Sequence, residues 1–88
     1  MPSNPLRDLF NRILWDPSID PSEIIVCYVS RGAPGDREEF YGTQILKVWS
    51  RGVDVNIGGK RKYVPFHRII LVKNVKKGKI LFKSPRLV

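Results

Sequence analysis

VDVNIGGKRKYV, residues 53–64, decides how the chain folds. Val53, Val55 and Ile57 alternate with Asp54 and Asn56, the period of a strand with one face buried. Gly58-Gly59 then supplies two residues free to take positive φ, and KRKYV runs back, so the stretch reads as an antiparallel hairpin closed by a two-residue turn. The segments HRIILVKNV and KILFK, flanking Lys77-Gly78, repeat the pattern as a second hairpin.

Working backwards, Arg51-Gly52 punctuates the chain, QILKVW is ambiguous between a strand and a helical turn, and REEFYG suits a short strand. RGAPGD, residues 31–36, is a glycine and proline loop. Residues 24–30 are apolar on both faces and rich in β-branched and aromatic types, which predicts a central strand covered on both sides or nearly so. DPSIDPSE is a turn-rich connector. Before it, Asn4 can cap a helix and Pro5 suits its first position, while Leu6, Leu9, Phe10, Ile13 and Leu14 make one apolar stripe. The helix should stop near Trp15, because Asp16 precedes a proline. The expectation is one α+β domain over residues 1–88, with an amphipathic N-terminal helix packed on a mainly antiparallel sheet of about five strands.

Charge is divided unevenly along this frame. Residues 1–54 hold six Lys/Arg and eight Asp/Glu, a net of −2, whereas residues 55–88 hold ten Lys/Arg and no acid, a net of +10. Basic charge concentrated in one segment is the footprint of a polyanion binder, because each phosphate neutralised releases counterions. Ten positives without an acid between them therefore point to nucleic acid.

Other classes are poorly served. Apolar runs such as Ile69 to Val72 fall far short of the ~20 residues that span a bilayer, so no membrane role is expected. One cysteine, Cys27, cannot form an internal disulfide and reads as a small buried hydrophobe. With no signal-peptide pattern in MPSNPLRDLF, a cytoplasmic location is expected. One Cys and one His cannot furnish a zinc site, and IGGKRK lacks the spacing of a phosphate-cradling loop, so neither metal nor cofactor is expected.

ILWDPSIDPSE, YVSRGAPGD and VPFHRI, in that order and followed by a lysine-rich strand pair, resemble the small archaeal proteins of the RNA cyclic group end recognition domain. The resemblance covers roughly residues 6–83. It implies a non-catalytic module that binds RNA ends bearing a cyclic or terminal phosphate, found in some larger proteins beside RNA-processing domains. Matched by motif, Asp16, Arg31, His67 and Arg68 are its polar positions, and Trp15, Tyr28 and Phe66 its aromatic ones. The chain is more basic at Lys60, Arg61 and Lys62 than the family pattern implies.

Each of these residues also has a plainer reading. Asp16 suits a turn or cap, and Trp15, Tyr28 and Phe66 suit the core, with stacking or support as the alternative. Arg31 opens a loop that could simply be solvated. His67 is read as the start of a strand, so it and Arg68 should point to opposite faces, with one packed inward. A guanidinium grips phosphate bidentately and an imidazole N–H can donate to it. The RNA-contacting set is thus Arg31, Lys60, Arg61, Lys62, His67 and Arg68. Two other functions stay open: a small RNA cyclic phosphodiesterase using His67, weakened by the lack of a second proton-transfer group, and a ribosome-associated adaptor with a basic face.

Overall fold

The computed structural model describes residues 4–85, so Arg86 of the basic segment lies outside the described residues. Helix α1 spans Pro5–Trp15, where the periodicity places it. The Asn4 side chain accepts from the Leu6 N–H at 2.9 Å, Pro5 fills the first turn, and Asp16 adopts extended backbone to end the helix. Leu6, Phe10 and Ile13 form its buried stripe.

Among the described residues seven strands follow: β1 (Ile24–Val29), β2 (Arg37–Tyr41), β3 (Ile45–Val48), β4 (Gly52–Ile57), β5 (Lys60–Pro65), β6 (Ile69–Asn74) and β7 (Lys79–Lys83). They form not one sheet of about five strands but two antiparallel sheets, in the orders β2-β1-β6-β7 and β3-β4-β5. The α+β class holds, and the correction lies in the partition of the strands. The chain leaves the larger sheet through the 3₁₀ turn Gly42–Gln44 and returns through the 3₁₀ turn Phe66–Arg68. These single turns redirect the backbone in three residues, a change of sheet that alternation of apolar residues does not record.

Both hairpins form as the turn residues require. Ile57 pairs with Lys60 across Gly58 (φ 60°) and Gly59 (φ 81°), a left-handed pair that glycine adopts without strain. Asn74 pairs with Lys79, and its side chain accepts from the Lys77 N–H at 2.8 Å. QILKVW resolves into the turn and β3.

The inner faces of both sheets and the helix stripe share one core, including Phe10, Ile13, Val26, Tyr28, Phe40, Val53, Val55, Val64, Phe66 and Val72. β1 is central, as expected, but only Ile24, Val26 and Tyr28 are buried; Ile25 and Cys27 are half-buried and Val29 is exposed, so its outer face is not covered. Burial still pushes the Cys27 thiol pKa up, which leaves it a poor nucleophile. At the second sheet crossing, Phe66 stacks on Phe10 with centroids 5.8 Å apart and planes inclined by 8°.

Phe10 is fully buried in the core. Phe10→Ala should cost about 3–5 kcal/mol, read as a lower urea midpoint at unchanged slope.

Candidate nucleic-acid interface

β1 and β6 pair antiparallel, with Tyr28 opposite Ile69 after a register shift at Cys27. The last residue of β1 therefore lies beside the turn that precedes β6, and the loop after β1 beside that turn as well. This register brings Arg31 to His67 and Arg68, which line a shallow concavity of about 220 Å³ together with Val29. Among the described residues no carboxylate pairs with any of the three.

His67 and Arg68 do not occupy a strand. They belong to the 3₁₀ turn Phe66–Arg68, and both are exposed. The expected inward-facing member of the pair is instead their neighbour Phe66, whose side chain is drawn into the core by the Phe10 stack. Fixing Phe66 inward leaves the next two side chains outward.

The basic strand β5 reads differently from its sequence. Arg61 Nη2 lies 2.5 Å from Asp54 Oδ2, and Asp54 also accepts from Trp49 Nε1 at 2.8 Å. These bonds, the Trp49 one first, hold the Asp54 carboxyl below its ordinary pKa. Lys62 Nζ is 3.6 Å from Glu38 and 5.3 Å from the Tyr28 ring centroid. Lys76 pairs with Glu23 at 3.8 Å. The positives of residues 55–88 are thus not uncompensated: among the described residues, Arg61, Lys62 and Lys76 are paired with acids of residues 1–54. Lys60, on the same strand, has no such partner among the described residues.

Of the other matched positions, Asp16 caps: its carboxylate accepts from Ser18 N–H at 2.9 Å and Ser18 Oγ at 2.7 Å, which lowers its pKa. Asp20 repeats the arrangement with Ser22. Trp15, read first as core, is 79% exposed at the helix end. Tyr28 and Phe66 are buried, so their rings support the fold and offer no face to a base. Tyr41, Trp49 and Tyr63 are exposed aromatics that the sequence reading left unassigned. Only the strand register, which turns Tyr63 outward beside Val64, could have singled out Tyr63.

Another concavity, about 240 Å³, lies at the opposite end of β1, with Arg12, Asp20, Lys77 and Lys79 in its lining. The Asp20 carboxylate is already engaged by Ser22.

The sequence from the helix cap to the end of β7 matches one domain family. The chain matches the MJ1316 RNA cyclic group end recognition domain over residues 4–83. It belongs to that family. Archaeal relatives include a UPF0248 protein of Methanococcus vannielii, 35% identical over 79 residues and covering 90% of each chain. A UPF0248 protein of Pyrobaculum islandicum is 32% identical over 76 residues, 86% of this chain and 84% of that one. A third, from Pyrobaculum calidifontis, is 35% identical over 68 residues, 77% and 83% of the two chains. No solved structure gives a significant match. No helix among the described residues of this family member is long and apolar enough to cross a membrane.

Beside the concavity, Glu38 accepts from Tyr28 Oη at 2.7 Å and Ser30 Oγ at 3.0 Å. These bonds, the Tyr28 one first, and Lys62 beyond them hold its carboxyl below the ordinary glutamate value. A depressed folded pKa contributes stability that is fully present above the unfolded value, about 4.3, and is lost as pH falls through the folded one. Melting curves from pH 6 to pH 3 should therefore show wild type falling more steeply than Glu38→Gln on the acid side, with the two converging at the lowest pH.

Proposed function

We propose that the chain is a non-catalytic RNA-binding module that holds a phosphate-bearing RNA end in the concavity of Arg31, His67 and Arg68. The observation that carries this reading is the convergence of two guanidinium groups and an imidazole from separate chain segments on one concavity, with no carboxylate paired to them among the described residues. A 3′-phosphate or 2′,3′-cyclic phosphate presents oxygens that such donors bond in a charge-assisted way. Membership of the family, whose domain is named for RNA cyclic group ends, supports the same ligand class.

Binding is favoured over hydrolysis by the company His67 keeps. Opening a cyclic phosphate needs one group to take a proton and another to give it. The titratable neighbours in this concavity are arginines, which keep their protons. They can stabilise phosphate charge but not exchange a proton. Lys60, with Arg61 and Lys62 beside it on β5, supplies a more general attraction to the polyanion. An adaptor whose basic face merely neutralises a partner would be indifferent to the chemistry of the RNA end.

Fluorescence-anisotropy titrations with one short RNA ending in a 3′-phosphate, a 2′,3′-cyclic phosphate or a 3′-hydroxyl test the proposal. Binding should weaken steeply with salt. His67→Ala and Arg31→Ala should each reduce affinity for the two phosphate ends by about ten- to a hundredfold, the worth of one bond to a charged group, and spare the hydroxyl end. Lys60→Ala should weaken all three alike. Equal losses on every RNA for His67→Ala would remove end recognition, and conversion of the cyclic phosphate to a monoester would replace it with the hydrolase reading.

A further inference from the structure

The outer face of the three-stranded sheet carries a set of side chains that the end-binding concavity does not use. Trp49 and Tyr63 are 42% and 47% exposed, yet neither ring is loose. The Trp49 indole is pinned through Nε1 to Asp54 at 2.8 Å, and Lys47 Nζ sits 4.0 Å from its centroid. The Tyr63 ring lies across Gly52: a Cβ there would fall 2.5 Å from both Cζ and Oη of Tyr63. Gly52 thus lets the end of the tyrosine ring close on β4, in the way an aromatic covers a strand glycine. Between the rings is an open depression of about 440 Å³, lined by Trp49, Ser50, Arg51, Asp54 and Tyr63.

Asp54 is the one acid of this group. It already holds Trp49 and Arg61, leaving Lys47, Arg51 and Arg61 as three positives around a single negative. Exposed, immobilised aromatic faces within a net positive rim suit the two parts of a single-stranded nucleotide, a flat base and an anionic backbone.

The depression is tied to the end site. Tyr63 continues through Pro65 into the turn bearing His67 and Arg68, and the Phe66 N–H donates to the Arg51 carbonyl at 2.9 Å. Four residue steps separate Tyr63 from His67, at most ~14 Å of extended chain. The two sites therefore lie within the span of a few nucleotides of one another.

We infer that Trp49 and Tyr63 form a base-stacking subsite for unpaired RNA, with Lys47, Arg51 and Arg61 attracting the adjoining phosphates. This takes its ligand from the end-binding reading but makes a separable claim: bases count, as well as the end. It implies that the protein engages single-stranded rather than fully paired termini.

The test compares a short single-stranded RNA with its counterpart lacking bases near the 3′ end, each prepared with a 3′-phosphate and a 3′-hydroxyl. Wild type should bind the base-bearing strands roughly tenfold more tightly than the abasic ones. Trp49→Ala and Tyr63→Leu should lower that ratio towards one while keeping the preference for a 3′-phosphate, and Trp49→Phe should retain most of it. His67→Ala should do the reverse, losing the end preference and keeping the base preference. Because Trp49→Ala also removes a donor to Asp54, Tyr63→Leu decides if that variant melts early. A wild-type protein indifferent to the bases, or variants that keep the full ratio, would overturn the subsite. A base preference that depends on Trp49 without any end preference would instead overturn the end-binding reading and leave the subsite standing.

Discussion

Phe66 packs its ring on Phe10 where the chain crosses from the three-stranded sheet back to the four-stranded one. That contact joins the helix to the crossover, and both rings sit in the core shared by the two sheets. It also sets the outward side of a three-residue turn. With Phe66 held inside, His67 and Arg68 are exposed, and the β1–β6 register carries the Arg31 loop to meet them. The apolar stack and the polar concavity are two consequences of one short turn. The turn's own backbone is anchored on its other side, through the Phe66 N–H to Arg51, so the loop beneath Trp49 and Tyr63 is fixed by the same element.

Electrostatics in the folded chain differ from electrostatics along the sequence. The acids of the first 54 residues and the cations of the last 34 look segregated. Folding interleaves them: Arg61 meets Asp54, Lys62 meets Glu38, and Lys76 meets Glu23. The Lys62–Glu38 pair joins the two sheets, since its members lie on β5 and β2. Such pairs, partly exposed, contribute modestly to stability. Their larger effect is to orient side chains, since Asp54 fixes both an indole and a guanidinium, and Glu38 fixes Tyr28 and Ser30 beside the concavity. Pairing also removes Arg61 and Lys62 from the simplest picture of a freely available basic strand. Arg31, His67 and Arg68, which do not form one run of sequence, come together with no neutralising carboxylate among the described residues.

The aromatic side chains divide in the same way between inside and outside. Tyr28 and Phe66 match the family pattern and lie in the core, while Trp15 matches it and stands exposed at the end of α1. A motif match marks a position that the fold uses without saying whether the ring packs or faces solvent. Trp49 and Tyr63, outside the matched motifs, are the rings that the sheet presents beside cations.

The sequence by itself determined the helix and the hairpin turns and pointed to a polyanion as ligand. Asn4-Pro5 and Asp16-Pro17 bound the helix, Gly58-Gly59 closes the hairpin, and the positive excess points to a polyanion, because each of these depends on backbone preference or charge count within a short window. Tertiary structure decided the number of sheets, which member of the Phe66-His67-Arg68 turn packs inward, and which cations are neutralised. Those outcomes depend on contacts between residues distant in the chain. A three-residue 3₁₀ turn leaves no periodic signature, the Phe10 partner that pulls Phe66 inward lies in the N-terminal helix, and Glu38 and Lys62 reach each other only once two sheets have closed on one core.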